Sequence, residues 1–240
     1  MVLTKKNSFK FKQFEVAQDN TAMKVNSDGV LLGAWARTQD ASSILDIGAG
    51  TGVIALMCAQ KNNDARIVGI EIDKDSCVQA AANFEKSPWA ANLSLVSDPI
   101  QKYGKESGVK FDHIISNPPF FSGGTLSENQ PKNIVRHTVK LSHGDLLLAI
   151  RRLLSPEGRV SIILPVIEGL RFIEIVERYR FYITRRTLMR PRAGKPAERI
   201  LFEFTQVEVE NCDKNEIIMY EDGRKEYTAE YKAMTGDFYL

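Results

Sequence analysis

The stretch Ser43-Ile44-Leu45-Asp46-Ile47-Gly48-Ala49-Gly50-Thr51-Gly52 decides the fold. It begins as a short, mostly apolar run of the kind that forms a buried strand, and three glycines follow at alternate positions. Residues 52–61 have the composition of a helix. A tight turn from a strand into a helix needs residues that tolerate positive φ, and a ligand lying on the backbone needs positions without a Cβ. The stretch therefore predicts a strand, a ligand-binding glycine loop and a helix.

Downstream of this stretch, short β-branched runs alternate with helical segments. Strands are predicted at 43–47, 66–72, 93–96, 111–116, 159–164, 182–189 and 199–208, and helices at 52–61, 74–86, 142–154 and 167–179. Strand–helix alternation predicts parallel βαβ units. The last two strands have no helix between them and should pair antiparallel. We therefore expect an α/β, doubly wound, Rossmann-like fold whose mostly parallel seven-stranded sheet ends in an antiparallel C-terminal hairpin.

Length and composition are those of one soluble globular domain, with 240 residues, 43% hydrophobic and 26% charged. The expected division is a covering segment over 1–40, a catalytic core over 41–210 and a tail over 211–240 that packs on the core. There is no apolar run of 18 residues and no signal-peptide core, so we expect a cytoplasmic protein without membrane contact. The spacing of Cys58, Cys77 and Cys212 is not that of a metal site, so we expect no metal. We also expect the protein to be a monomer.

Three acids at strand ends restrict the kind of ligand that the glycine loop can bind. Asp46 precedes the first glycine, Glu71 ends the second strand where a carboxylate can hold ribose hydroxyls, and Asp98 follows the third strand near an adenine amino group. The last glycine comes one residue earlier than in the dinucleotide fingerprint. An acid-rich pocket suits a cationic sulfonium better than a pyrophosphate. The segment from Asp46 to Gly52 resembles motif I of the class I S-adenosylmethionine (AdoMet) methyltransferases.

A second motif, Asn117-Pro118-Pro119-Phe120, closes the fourth predicted strand. Two prolines remove two N–H donors, which leaves the Asn117 side-chain oxygen and the Pro118 carbonyl as acceptors. An exocyclic NH2 has two hydrogens to donate to them, and Phe120 offers a face on which a flat group can stack. The amine becomes acidic once it is alkylated, so alignment rather than a strong base provides the catalysis. The motif resembles that of methyltransferases acting on planar, conjugated amino groups.

Basic residues concentrate between positions 178 and 199, which hold eight of them and one acid in a chain of net charge +2. Because they surround the predicted hairpin loop, they indicate a phosphate-binding patch for RNA. The alternative is a solvated strand face, which is what most charge runs are. The predicted RNA contacts are Arg185, Arg186, Arg190, Arg192 and Lys195.

Over nearly all of its length, the chain resembles the bacterial tRNA1(Val) (adenine(37)-N6)-methyltransferases. The resemblance rests on the two motifs and on residues 25–36, 136–137, 190–193 and 237–240, with Ser27 where most members have Thr. It implies N6-methylation of adenine 37 in a tRNA, with AdoMet as the cofactor. The implied AdoMet site is Asp28, Asp46, Gly48, Gly50, Gly52, Glu71 and Asp98. The implied adenine site is Asn117, Pro118, Pro119 and Phe120, and His137 is a candidate for the substrate mouth.

Other protein classes with similar motifs give three alternatives. Protein glutamine N5-methyltransferases usually have Tyr at the fourth motif position and an N-terminal helical domain, whereas this chain has Phe120 and only residues 1–42 before the first strand. Ribosomal RNA guanine N2-methyltransferases often carry a duplicated N-terminal domain. A non-enzymatic RNA-binding protein with a relict pocket would show a damaged motif, and both motifs are intact.

Overall fold

The computed structural model describes residues 7–19, 21, 23–119 and 141–239. Phe120, Arg136, His137 and Leu240, which the sequence singled out, lie outside these residues. The strands are β1 (Ser8–Lys10), β2 (Glu15–Ala17), β3 (Ser43–Ile47), β4 (Arg66–Glu71), β5 (Leu93–Ser97), β6 (Phe111–Ser116), β7 (Leu154–Pro165), β8 (Tyr182–Arg190), β9 (Arg199–Thr205) and β10 (Asp213–Ile218). The helices are α1 (Ser27–Trp35), α2 (Val53–Lys61), α3 (Lys74–Glu85), α4 (Ile100–Glu106), α5 (His143–Leu153), α6 (Val166–Arg178) and α7 (Ala229–Thr235), with a 3-10 turn at Ala90–Asn92.

Within the described residues, eight strands form one sheet in the order β10-β8-β9-β7-β6-β3-β4-β5. Neighbours pair in parallel except that β9 is antiparallel to both β7 and β8. The predicted Rossmann-like fold with its antiparallel hairpin β8–β9 is confirmed. The strand count is corrected from seven to eight, because β10 pairs in parallel with β8. Four exposed polar residues begin β10, so it lacks the apolar alternation that marks a strand.

Helices cover both faces of the sheet, and each face has its own apolar core. Side chains alternate between the faces of a strand, so Ile44 points into the core beneath α1, α2, α3 and α7, and Leu45 into the core beneath α4, α5 and α6. Ile115 and Ile114 on β6 divide between the two cores in the same way. The two cores together cover both faces of the sheet.

The carboxyl ends of the parallel strands meet at one edge of the sheet, here called the active edge. Ile47 at the end of β3 is in register with Ile70 of β4 and Ser116 of β6, and Glu71 is in register with Ser97 of β5. β8 and β10 run in the same direction as these strands. The loop between β8 and β9 and the residues after β10 therefore open on the active edge too. In doubly wound sheets ligands bind at this edge.

The first and last described segments pack against each other. β1 and β2 form an antiparallel hairpin outside the main sheet. The Lys12 backbone N donates to the Phe238 carbonyl at 2.9 Å, and Lys12 Nζ donates to the Gly236 carbonyl at 2.6 Å. The Phe11 ring stacks on Tyr239 with centroids 6.5 Å apart, and Phe238 is buried. The residues after α7 are thus part of the core that contains the hairpin.

Candidate active site

The loop between β3 and α2 has the conformation that its glycines predict. Gly48, Gly50 and Gly52 have φ angles of 76°, 53° and 81°, a region that glycine adopts without steric cost. The backbone N atoms of Gly48 and Ala49 both donate to the Ile70 carbonyl, at 2.9 and 3.1 Å. These bonds fix the loop to the end of β4.

The three positions require glycine for different structural reasons. A Cβ added to Gly48 would have no heavy atom within 4 Å, and one added to Gly50 would meet only the Gly48 carbonyl, at 4.0 Å. Open space directly above a backbone loop is room for a ligand. A Cβ on Gly52 would lie 2.5 Å from Cε1 of Phe84, so Gly52 is required by the packing of α3. The sequence had assigned the same role to all three.

Asp46 is a fully buried carboxyl group beside this loop. Its Oδ2 accepts a hydrogen bond from the Ala55 backbone N at 3.2 Å, whereas Oδ1 has no hydrogen-bond partner in the described part of the chain. Burial raises the pKa of Asp46 to about 7; the Ala55 N–H opposes this rise and the charge of Glu71 adds to it. A buried acid with an unused oxygen is an acceptor that a cation would stabilise in its charged form.

Glu71 is held in place by three backbone donors. Oε2 accepts from the Gly50 N at 2.9 Å, and Oε1 accepts from the N atoms of Ile72 and Asp73 at 2.7 and 2.9 Å. The carboxylate therefore links the glycine loop to the turn after β4. Three donors leave acceptor capacity on a carboxylate whose orientation is fixed, which suits a ligand with hydroxyl groups.

The other two predicted cofactor acids have side-chain partners. Asp98, just after β5, lies 3.0 Å from Lys102 Nζ, and its side chain is more exposed than that of Asp28. Asp28, in the first turn of α1, is buried and accepts from Arg199 Nε on both carboxylate oxygens at 2.9 Å. Arg199 begins β9 beside Pro165. Gly29, the next residue after Asp28, packs against Val53 directly after the glycine loop, so Asp28 lies close both to the start of β9 and to the end of the glycine loop.

The Asn-Pro-Pro corner lies beside the glycine loop, as the sequence predicts. Ser116, directly before it, donates from Oγ to the Ile47 carbonyl at 2.9 Å and ties the end of β6 to the end of β3. Asn117 is half-buried, Pro118 is buried and Pro119 is exposed. The corner thus presents an amide side chain at the edge while its first proline is anchored in the body.

One of the five predicted RNA contacts is wrong. Arg185 is buried, its Nη2 donates to the Trp35 carbonyl at 3.1 Å, and its guanidinium lies 3.5 Å from the Trp35 ring centroid. Glu203 Oε2 lies 3.6 Å from Arg185 Nη2, and burial lowers the pKa of Arg185 to about 10. Successive strand residues point to opposite faces, so Arg185 points toward α1 and the half-buried Arg186 points to the other face of the sheet. Arg185 joins α1 to the sheet and is not available to RNA.

The remaining four are accessible; three of them lie in the loop that begins at the end of β8, whereas Arg186 lies within β8, in register with Phe202 of β9 and Lys214 of β10. Lys195 is exposed, and Arg186, Arg190 and Arg192 are half-buried. Within the loop, the Lys195 N donates to the Arg192 carbonyl at 3.2 Å and Arg190 Nη1 donates to the Lys195 carbonyl at 2.5 Å. Arg190 Nε also pairs with Glu216 at 2.6 Å. The loop, here called the basic loop (residues 190–198), is therefore fixed at the active edge.

Asn83 is a site residue that the sequence analysis did not single out. It is buried on α3, and its Nδ2 donates to the carbonyls of Ala17 and Thr51, both at 2.9 Å, while its Oδ1 accepts from the Ala17 N at 3.0 Å. One amide thereby connects the N-terminal hairpin to the glycine loop. A polar residue on the apolar face of a predicted helix, next to Phe84, was the available signal.

Two further features are absent from the part of the chain that the structure describes. Those residues contain no group of three or more His, Cys, Asp or Glu side chains placed to hold a metal ion. They also contain no helix that combines the length and the apolar character needed to cross a membrane.

Comparison with known proteins defines the class. The family described as "Methyltransferase small domain" matches residues 24–182. A predicted O-methyltransferase from Agrobacterium tumefaciens superposes with a TM-score of 0.67 at 22% identity, covering 88% of this chain and 96% of that one. The T. thermophilus 16S rRNA N2 G1207 methyltransferase, solved with AdoMet and guanosine, gives 0.58 at 19% identity over 85% of this chain and 50% of its own. The chain is thus a Rossmann-like methyltransferase.

Curated relatives narrow the class to one family. The tRNA1(Val) (adenine(37)-N6)-methyltransferase of Histophilus somni is 37% identical over 99% of both chains. The enzymes of that name from Proteus mirabilis and Dyadobacter fermentans are 39% and 41% identical, covering 98% and 97% of this chain and 95% and 97% of their own. This chain belongs to the tRNA1(Val) (adenine(37)-N6)-methyltransferase family.

Proposed function

We propose that the chain transfers a methyl group from AdoMet to N6 of an adenine in tRNA, and that the adenine is position 37 of tRNA1(Val). The observation that carries this proposal is the register of β3 and β6, which sets the Asn-Pro-Pro corner beside an open glycine loop. A cofactor loop and an amine-binding corner on neighbouring strands can bring a methyl donor and an amino group into line. The family relatives supply the tRNA and its position.

The residues of the glycine loop fit AdoMet. Open space at Gly48 and Gly50 would receive a ligand on the backbone, and Glu71 would offer its held oxygens to ribose hydroxyls. Asp98, which follows β5 and pairs with Lys102, would accept from the adenine amino group of the cofactor. Asp46 supplies a buried negative charge near a cationic ligand. When bound, AdoMet supplies a methyl group on a positively charged sulfur. Asp28, whose neighbour Gly29 packs against the first turn of α2, is part of the proposed cofactor site and also holds Arg199.

The corner positions the amino group that is methylated. The Asn117 side-chain oxygen and the Pro118 carbonyl accept the two hydrogens of the adenine NH2, and this turns the nitrogen lone pair toward the methyl carbon. Phe120 provides the stacking face for the base. The nitrogen loses a proton after methylation without a strong base, because the alkylated amine is very acidic. Alignment accounts for most of the rate enhancement.

The β7–β9–β8 side of the active edge receives the RNA strand. The basic loop places Arg190, Arg192 and Lys195 there, and Arg199 stands at the start of β9 with its Nε held by Asp28. Positive side chains at this edge bind phosphates on either side of a flipped-out adenine. We place the enzyme in the cytoplasm with its tRNA, acting as a monomer.

The test is methyl transfer from radiolabelled AdoMet to bulk tRNA from cells that lack this enzyme, followed by nucleoside mass analysis. We expect N6-methyladenosine in tRNA, and label in a tRNA1(Val) transcript that disappears when A37 is replaced by G. Label in protein or ribosomal RNA instead would support methyl transfer but contradict tRNA as the substrate.

A further inference from the structure

Three tyrosines after β10 form a stacked column that the proposed chemistry does not use. The rings of Tyr220 and Tyr227 have centroids 4.9 Å apart at 26°, and those of Tyr227 and Tyr231 are 4.5 Å apart at 26°. Tyr231 is buried, whereas Tyr220 and Tyr227 are half-buried. The column therefore extends from the core of the protein to its surface.

Arg192 of the basic loop lies at the outer end of this column. Its Cζ is 5.4 Å from the centroid of the Tyr220 ring, within the range of a cation–π contact. Its Nη1 donates a hydrogen bond to the Glu221 carbonyl. Arg192 is half-buried, so part of its side chain remains open to solvent. A guanidinium plane fixed by a ring and a carbonyl has lost little further freedom when a ligand binds.

Backbone hydrogen bonds join the column to the basic loop. The Met219 N donates to the Arg190 carbonyl at 2.8 Å, and the Tyr220 N donates to the Pro191 carbonyl at 3.1 Å. Tyr220 and Tyr227 also face each other in an isolated antiparallel bridge. The loop and the column form one fixed unit at the active edge.

The position of this unit matches the path of an RNA strand. Going from β6, which carries the Asn-Pro-Pro corner, to β8, which leads into the basic loop, crosses β7 and β9. Three strand spacings place Arg192 about 14 Å from the corner along the sheet. A nucleotide a few positions from the target adenine spans such a distance. A plain phosphate contact would need only a mobile charge, and the tyrosine column would be unnecessary for it.

We propose that Arg192, backed by Tyr220, is a stacking site for a second, unpaired nucleobase of the RNA substrate. This site rests on the proposed function, since it assumes that RNA enters along the active edge. Guanidinium planes and aromatic rings are common stacking partners of splayed bases, and stacking tolerates any base. The site selects RNA whose target adenine lies in a loop with a second unstacked nucleotide, and it discriminates against duplex RNA.

The experiment uses synthetic stem-loop RNAs that carry the target adenine and one abasic nucleotide, placed in turn at every other loop position. Equilibrium binding by fluorescence anisotropy and methylation kinetics are measured for the wild type and for Arg192→Lys, which keeps the charge and removes the plane. We expect one abasic position to weaken wild-type binding and raise KM about tenfold with little change in kcat. The same abasic nucleotide should have no further effect in Arg192→Lys.

Two controls make the result specific. Arg224→Lys changes an exposed arginine in the same segment, and we expect it to leave the abasic profile unchanged. Tyr220→Leu removes the ring that holds the guanidinium while Arg192 itself is retained, and the effect of the abasic nucleotide should disappear as it does in Arg192→Lys. Circular dichroism and AdoMet calorimetry check that each variant is folded.

Additive effects of Arg192→Lys and the abasic nucleotide, or wild-type affinity of Arg192→Lys, would overturn the stacking site while leaving the methyltransferase intact. Wild-type protein that binds neither the stem-loops nor whole tRNA would overturn the proposed function, and the stacking site with it. Binding with a position-dependent abasic effect but without methyl transfer would retain the stacking site and overturn the assigned chemistry.

Discussion

The glycine loop and the basic loop lie on the same edge of one sheet, but their residues come together differently. The glycine loop is one continuous segment, from Asp46 to Gly52, joined by Glu71 of the next strand. The β9 side of the edge is assembled from distant segments: Asp28 and Arg199 are 171 residues apart, and Arg192 meets a ring 28 positions further along the chain. The first region is acidic and the second basic.

This contrast separates two kinds of constraint. In the glycine loop the backbone itself takes up positive φ angles and leaves open space, so the constraints are local to the sequence. On the basic side, ion pairs and ring contacts across the fold determine which charges remain free. Arg185 and Arg186 are neighbours in sequence, yet one is buried against Trp35 and the other is half-exposed.

The largest expected effect is at the junction of the two regions. Asn117→Ala removes an acceptor that orients the amino group, and we expect single-turnover methylation to fall about 10³-fold. AdoMet affinity, measured by calorimetry, should stay within about twofold because the glycine loop is untouched. Asn63→Ala, at an exposed position, is the matched control. Near-normal turnover of Asn117→Ala would contradict the role of the corner.

Within the glycine loop, two alanine substitutions should behave differently. Gly52→Ala puts a Cβ against Phe84 at positive φ, and we expect the free energy of unfolding to fall by about 2–3 kcal/mol. Gly48→Ala meets no heavy atom and should cost only about 1 kcal/mol, while weakening AdoMet binding by occupying the ligand space. Urea unfolding and calorimetry measure the two quantities. Equal losses of stability in the two variants would show that the packing argument is wrong.

The buried acid of the cofactor side predicts a dependence on pH. The pKa of Asp46 is raised to about 7, so the folded protein favours the neutral acid and this group's contribution to stability declines as pH rises from about 4 to 7. A cationic cofactor favours the ionised form. AdoMet affinity should therefore rise about tenfold between pH 6 and pH 8.

The control for this effect is Asp46→Asn, which cannot ionise. Calorimetric titrations of that variant should give an AdoMet affinity that is weaker and independent of pH over the same range. An AdoMet affinity of the wild type that does not change between pH 6 and pH 8 would show that Asp46 does not interact with the charge of the cofactor.

The smallest effect is expected on the basic side. Lys195 is exposed, so Lys195→Ala should weaken tRNA binding several-fold and reduce the slope of log affinity against log salt by about 1. Arg185→Leu should leave that slope unchanged in the folded protein and lower its stability, because it leaves Glu203 buried without its cation. Filter binding at several salt concentrations measures both. A lower slope for Arg185→Leu would show that Arg185 does contact RNA.

The fold and the cofactor side were predictable because their signals are local. A strand, three glycines and an acid at the next strand end form a pattern over a few tens of residues. The sequence of β10 is too polar to be recognised as a strand, and residues 155–158, between the predicted helix and the predicted strand, continue β7 across a shift of register. The phase of β8 was equally hidden, because a shift between Ile183 and Arg185 decides which arginine points inward.

The contact between the N-terminal hairpin and the residues after α7 has a consequence for synthesis. Lys12 finds its backbone partner only when Phe238 has left the ribosome. At ordinary elongation rates the interval is roughly 10 to 45 seconds. During it, the Phe11 ring has yet to gain its contact with Tyr239, whereas Trp89, the partner of Phe14, is made much earlier. The side of the hairpin that faces the residues after α7 is therefore among the last parts of the chain to become native.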